Sequence, residues 1–120
     1  MRNKLKKFAI WLKRKPRHNN SLQNPNYILT KFEDILYCTS DNGIKNVITI
    51  VTKTRKVFDD RCLQSFEELD FFCRISKSTV VNLSKVNSRN DWNTIYIDDQ
   101  KFLVGRNYRD NLKNEFDKIL

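Results

Sequence analysis

Residues 71–86 read FFCRISKSTVVNLSKV, and this stretch decides how the rest of the chain is interpreted. It carries Arg74, Lys77 and Lys85 without an acid, and serine, threonine and asparagine lie between these cations. Apolar residues in the same stretch provide a side that can be buried. A segment anchored on one side can hold hydrogen-bond donors rigidly on the other, towards phosphates and base edges. The stretch is therefore interpreted as the centre of a DNA-binding surface.

The net charge of +9 is distributed unevenly along the 120 residues. Residues 1–18 hold eight bases and no acid, whereas the remaining residues hold 15 bases and 14 acids. The length fits one domain with an extension. Because almost all of the excess charge lies in the extension, the total says little about the body. A DNA-binding interpretation of the body therefore rests on local patterns.

The sequence offers little support for catalysis. Its one histidine, His18, excludes a histidine-centred triad or a multi-histidine metal site, and no glycine-rich phosphate loop is present. The three cysteines have no metal-ligand spacing, and their apolar surroundings predict buried, reduced thiols in a cytoplasmic protein. We therefore expect neither an enzyme nor a cofactor, with a carboxylate–Mg²⁺ nuclease as the remaining enzymatic alternative.

The N-terminal segment, residues 1–24, is predicted to be a basic amphipathic helix over 1–15 followed by a linker. Leu5, Phe8, Ala9 and Leu12 follow helical spacing, and Pro16 would end the helix. The segment can dock its apolar stripe on the body, contact phosphates, or adsorb to an anionic membrane surface. It is too short to span a bilayer.

The body, residues 25–120, is predicted to be mostly β. A short helix is expected from a cap at Asp59 or Asp60 to about residue 69, and a C-terminal helix is expected after a capping box formed by Asn107 and Asp110. Alternating, β-branched runs separated by turn residues predict the strands. These strands cover residues 27–29, 35–38, 46–52, 56–58, 72–75, 80–83, 94–97 and 101–104, with a turn or helical kink at 32–34.

Several polar residues at turns or element ends have the chemistry of DNA contacts. Arginine can donate two hydrogen bonds to guanine and asparagine can pair with adenine, while lysine and serine hold phosphates. The alternative is structural: charged side chains also solvate sheet edges, and Asn82 can satisfy the backbone of a turn. The candidates are Arg74, Lys77, Ser78, Asn82 and Arg106.

The run FCRISKSTVVNL at residues 72–83 closely resembles the signature of the LytTR family of DNA-binding domains, approximately F-x-R-I-H-[RK]-S-x-[LIV]-V-N. Upstream, DILY at residues 34–37 is similar to a family strand, and residues 63–69 match its short helix. Downstream, FLVGRNY at residues 102–108 resembles the segment before the final helix. The resemblance covers about residues 25–120.

This resemblance implies an elongated fold of small antiparallel sheets whose loops, not a recognition helix, enter the major groove. It implies base contacts by Asn82, Arg106 and the loop 39–46, in which Lys45 and Asn46 are the candidates. Arg74, Lys77 and Ser78, with Lys85, would hold phosphates. The sequence departs from the family at Ser76, where histidine is common, and at Gly105, where serine is common.

The resemblance further implies a response-regulator-like transcription factor that binds paired direct repeats, so that a second copy lies on the adjacent repeat. Family members usually follow a receiver domain or a membrane sensor, whereas only the short basic segment precedes residue 25. We therefore expect a stand-alone member that is controlled by abundance or by a regulatory protein partner. The alternative is a basic interaction or membrane-surface protein that acts through residues 1–15.

Overall fold

The computed structural model describes residues 9–13 and 27–120, and these form three antiparallel sheets. The central sheet has five strands in the order β5-β4-β3-β7-β6. Its strands are β3 (Ile35–Thr39), β4 (Ile48–Thr52), β5 (Lys56–Asp59), β6 (Phe72–Ser76) and β7 (Thr79–Asn82). The predicted mostly β architecture of small antiparallel sheets is confirmed.

The two smaller sheets flank the central one in sequence. The N-terminal sheet pairs β1 (Ala9–Lys13) with β2 (Tyr27–Lys31). The C-terminal sheet has the order β10-β9-β8, built from β8 (Val86–Asn90), β9 (Thr94–Ile97) and β10 (Gln100–Leu103). The helices are α1 (Gln64–Glu67) and α2 (Arg109–Ile119), with single 3-10 turns at Phe32–Asp34, Leu83–Lys85 and Arg106–Tyr108.

The central sheet carries a hydrophobic core on each face. Val80 and Val81 are neighbours in β7 and both are fully buried, yet they belong to different cores. Successive side chains of a strand point to opposite faces, so an unbroken apolar run is what a strand buried on both faces requires. Phe72 and Cys73 in β6 divide between the two cores in the same way. Strands β6 and β7 of residues 71–86 therefore contribute side chains to both cores.

The predicted N-terminal helix is wrong for residues 9–13, which form strand β1. Trp11 lies opposite Leu29 and Leu12 opposite Ile28. Leu12 is fully buried in the first core, whereas Trp11 is 58% exposed, so inward and outward side chains alternate as in a strand. Pairing with β2 supplies the hydrogen bonds and the burial that override helical spacing. The remainder of that predicted helix, and the linker to residue 26, lie outside the described residues.

Both predicted helix caps are wrong. Helix α1 spans only Gln64–Glu67, and Leu63 precedes it without a side-chain cap. Asp59 is instead buried at the end of β5, where its carboxylate accepts a hydrogen bond of 2.8 Å from the Arg61 backbone N–H. Tyr108 precedes α2, again without a side-chain cap, so the capping box of Asn107 and Asp110 is not formed. In the described part of the chain, no helix combines the length and apolar character that a bilayer crossing needs.

The remaining strand predictions are confirmed to within two residues at each end, but β8 was not predicted. Its sequence, VNSRN, contains one apolar residue and is mostly exposed, so it lacks the alternation that reveals a strand. The prediction of buried cysteines is confirmed for two of the three. Cys38 and Cys73 are buried, whereas Cys62 is exposed.

Candidate nucleic-acid interface

Three connections lie at one end of the central sheet: the loop after β3, the β6–β7 turn and the segment after β10. Strands β3 and β6 end there and β7 begins there, because Thr39 and Ser76 both pair with Thr79. The backbone N–H of Ser40 donates to the Ser78 carbonyl at 2.8 Å, which joins the loop after β3 to the β6–β7 turn. The Gly105 N–H donates to the Ile75 carbonyl at 2.7 Å, which brings the segment after β10 alongside.

We call residues 40–46, 77–78 and 105–106 the three-loop end. Strands β3, β7 and β6 are neighbours in the sheet, and adjacent strands lie about 4.8 Å apart. The loops that leave them are therefore close enough to face one ligand together. The structure thus brings together five of the predicted site residues, namely Lys45, Asn46, Lys77, Ser78 and Arg106.

The loop 40–46 is shaped by Asn42. Its Nδ2 donates to the Val47 carbonyl at 3.0 Å and to Thr49 Oγ1 at 2.9 Å, while its Oδ1 accepts from the Ile44 N–H at 2.8 Å. The backbone is left-handed at Gly43 (φ 75°) and Asn46 (φ 61°), a conformation that glycine and asparagine adopt most readily. Lys45 and Asn46 are exposed in the loop that Asn42 anchors.

Arg74 holds the β6–β7 turn rather than projecting from it. Its Nε donates to the Ser76 carbonyl at 3.0 Å and its Nη2 donates to the Lys77 carbonyl. Its Nη1 lies 3.6 Å from Glu67 Oε1. Because its guanidinium already binds two turn carbonyls and lies near a carboxylate, Arg74 fits a positioning role better than the predicted phosphate contact. Lys77, at the tip of the turn, is exposed.

Ser76 and Gly105, the two departures from the family pattern, both have local structural roles. Ser76 Oγ accepts a hydrogen bond from the Ser78 N–H at 3.2 Å and so closes the turn next to Lys77. A Cβ atom on Gly105 would lie 3.0 Å from Tyr108 Cδ2 and 3.4 Å from the Ile75 carbonyl oxygen. A larger residue would push the Tyr108 ring away, so glycine fits the close approach of this segment to β6. Arg106 follows it and is exposed.

Asn82 is not available to read a base, which corrects its predicted role. The residue is 2% exposed, and its Nδ2 donates to the carbonyls of Phe32 at 3.3 Å and Ile35 at 3.0 Å. Its Oδ1 accepts from the Ser84 N–H at 3.1 Å and from the Ser84 hydroxyl at 2.7 Å. The alternative prediction, an asparagine that satisfies backbone groups at a turn, describes this geometry.

Lys85 lies away from the three-loop end, on the same side of the sheet as Asn82. It follows β7 at the end of the central sheet opposite the three-loop end, since β7 runs from Thr79 to Asn82. Burial lowers the pKa of Lys85, and the charge of Lys53 lowers this pKa further. Lys53 itself lies 3.9 Å from an oxygen of Asp34. This opposite end therefore has mixed charge.

The three-loop end has a net positive charge, since it holds Lys45, Lys77 and Arg106 against one acid, Asp41. Lys45, Lys77 and Arg106 are exposed, and within residues 9–13 and 27–120 none of the three is paired with a carboxylate. The same part of the chain has no cluster of three or more metal-binding side chains. Exposed lysine, arginine and asparagine on anchored loops can donate to phosphate oxygens and to acceptors on base edges.

Sequence reasoning missed the residues that shape these loops. Asn42 is not among the site residues predicted from the sequence, because the sequence does not show that its amide reaches Val47 and Thr49. Arg74 was interpreted as a ligand contact, although its carbonyl partners lie only two and three residues away. Such short-range pairs are the kind of signal that could have revealed the positioning role.

Small antiparallel sheets with anchored basic loops at one end define a class of β domain that can present loops to a nucleic acid. A profile of the LytTr DNA-binding domain matches residues 26–117. The chain therefore belongs to the LytTR family of DNA-binding domains, as its signature suggested.

A solved structure shares the fold. It is the LytTr DNA-binding domain of a Bacillus cereus protein described as a methyl-accepting/DNA response regulator, with a TM-score of 0.69. The sequence identity is 18%, and the match covers 92% of this chain and 97% of the other. A comparison with curated protein sequences found no match.

Proposed function

We propose that the protein is a sequence-specific transcription regulator that inserts the three-loop end into the major groove of promoter DNA. Family membership supports a DNA-binding regulator in general. The observation that carries the finer proposal is the convergence of Lys45, Lys77 and Arg106 on one end of the central sheet. These three loops come from distant parts of the chain, so their convergence is a property of the fold.

The proposed contacts follow from side-chain chemistry. Arg106 presents a guanidinium that can donate two hydrogen bonds to guanine O6 and N7, and Asn46 has an amide that can pair with adenine. Lys45, Lys77 and the Ser78 hydroxyl are assigned to phosphates, where they fix the register of the loops. Arg74 keeps the Lys77 turn in place through its bonds to two carbonyls. Asn82 and Lys85 are left out of this surface.

We further propose that two copies bind adjacent direct repeats and that the protein acts in the cytoplasm. The support is the likeness to the LytTR family alone. Control by a regulatory protein partner has the same support. A recovered binding site with two copies of one motif in the same orientation would support the paired mode, and a single motif would contradict it.

The proposal is tested by selecting bound DNA from a random pool and measuring the affinity of variants for the recovered sequence. Arg106→Ala should lose about 1–3 kcal/mol of specific binding, and Lys77→Ala should weaken binding to all sequences and reduce the salt slope by about one. Lys53→Ala is the matched control, because Lys53 is an exposed lysine at the opposite end. Parental affinity in both Arg106→Ala and Lys77→Ala would contradict the assigned surface.

One observation favours the alternative of a membrane-surface or interaction protein. Trp11, Tyr27 and Leu29 are 58%, 55% and 51% exposed on the outer face of the β1–β2 sheet. Tryptophan and tyrosine favour membrane interfaces, and residues 1–18 are basic. This alternative predicts a blue shift of tryptophan fluorescence on anionic vesicles that Trp11→Phe abolishes, together with no sequence preference on DNA. Deletion of residues 1–18 is a poor test, since it would remove the buried Leu12.

A further inference from the structure

We propose that Ile44 is a base-reading residue that contacts the C5 methyl group of a thymine in the major groove. The inference rests on the proposed function, because it assumes that the loop 40–46 faces bases. It adds recognition of thymine through its methyl group, which cannot form a hydrogen bond with the polar residues of the three-loop end.

The first observation is the exposure of Ile44 at the tip of an anchored loop. Its side chain is 37% exposed between Gly43 and Lys45, both of which are also exposed. Its backbone N–H is fixed by the Asn42 side chain at 2.8 Å, and Asn42 is fixed in turn to Val47 and Thr49. A loop whose backbone is already positioned loses little conformational freedom when it binds.

The second observation is the position of Ile44 beside the exposed lysines of the three-loop end. An exposed isoleucine by itself needs no explanation, since single apolar side chains are common on protein surfaces. Here, however, it lies in the loop that the Ser40–Ser78 hydrogen bond ties to the Lys77 turn, and it directly precedes Lys45. Lysines that hold phosphates would place the neighbouring isoleucine against the groove and not against solvent.

The chemistry of the base edges indicates which base Ile44 contacts. In the major groove guanine, cytosine and adenine present donors and acceptors, whereas thymine also presents a methyl group. An isoleucine has no donor or acceptor, so it would leave the polar edges of the other bases without a partner. Apolar contact with the thymine methyl is the one favourable interaction open to it.

The test replaces each thymine of the selected binding site, one at a time, with deoxyuridine, which lacks only the methyl group. The parent protein should lose about fourfold in affinity at one or two positions, the equivalent of roughly 0.8 kcal/mol for one buried methyl. Ile44→Ala should bind the thymine site about as weakly as the parent binds the deoxyuridine site. It should also no longer distinguish the two DNAs, whereas Ile44→Val should retain part of the preference.

Leu29→Ala is the matched control, because Leu29 is an exposed aliphatic residue on the outer face of the β1–β2 sheet. It should distinguish thymine from deoxyuridine as the parent does. The inference is overturned if no deoxyuridine replacement weakens the parent, or if Ile44→Ala keeps the full preference at every position. Failure of the proposed function looks different: the selection would then recover no preferred sequence for the parent protein.

Discussion

Replacing Asn82 with alanine should destabilise the protein strongly, because the side chain joins two parts of the fold. It connects the 3-10 turn Phe32–Asp34 and the start of β3 to the turn after β7. Alanine would remove four hydrogen bonds and leave two buried carbonyl groups and the partly buried Ser84 N–H without this partner. The effect on DNA binding should be indirect.

The magnitude follows from the number of groups affected. Each hydrogen bond contributes about 1 kcal/mol net, and a buried group left without a partner costs about 1–3 kcal/mol. We therefore expect a loss of about 3 kcal/mol in the free energy of unfolding, out of the roughly 5–15 kcal/mol that a domain has. With a urea slope of about 1.5 kcal/mol per M, the midpoint should fall by about 2 M.

The assay is urea unfolding followed by circular dichroism, combined with a gel shift under conditions in which the variant remains folded. Lys77→Ala is the reciprocal control, since this exposed lysine should affect DNA affinity while leaving the urea midpoint unchanged. A folded Asn82→Ala variant should keep sequence preference. If its midpoint equals that of the parent while specific binding is lost, Asn82 reads a base and our structural reasoning is wrong.

Leu12→Ala should lower the free energy of unfolding by about 2–5 kcal/mol, because the side chain is fully buried. A urea midpoint unchanged by the substitution would show that β1 does not pack on the first core. Arg74→Ala should weaken DNA binding about fivefold, the equivalent of one lost hydrogen bond, and leave the dependence of affinity on salt unchanged, whereas a phosphate contact would reduce the salt slope by about one. Cys62 should be the first cysteine to react with a thiol reagent, and it should react at a lower pH than an ordinary thiol. The reason is that hydrogen bonding to Ser65 lowers the pKa of this exposed thiol, whereas burial raises the pKa of Cys38. Equal reaction of Cys38, Cys62 and Cys73 in the folded protein would contradict the burial pattern.

The strands of the central sheet could be predicted because their signal is local. Runs such as residues 48–52 are rich in β-branched residues and are bounded by turn residues, so composition alone identifies them. The N-terminal strand could not be predicted in this way. Leu5, Phe8 and Leu12 have helical spacing, and only the presence of β2 as a pairing partner favours a strand at residues 9–13.

The candidate site shows the same division between local and distant information. Lys77 and Arg106 were predicted from their chemistry and from the family signature, and they lie together at the three-loop end. Asn82 has suitable chemistry as well, but its environment is set by Phe32 and Ile35, about fifty residues earlier in the chain. Residue type shows what a side chain can bind, whereas burial, which depends on the fold, decides what it can reach.

The central claim is that the three-loop end binds DNA. Titration of the ¹⁵N-labelled protein with its selected DNA, followed by amide chemical shifts, tests this claim most directly. We expect the largest changes at residues 40–46, 77–78 and 105–106, and small ones around Lys53 and Lys85 at the opposite end of the sheet. Changes concentrated around Lys53 and Lys85, or on the outer face of the β1–β2 sheet, would contradict it.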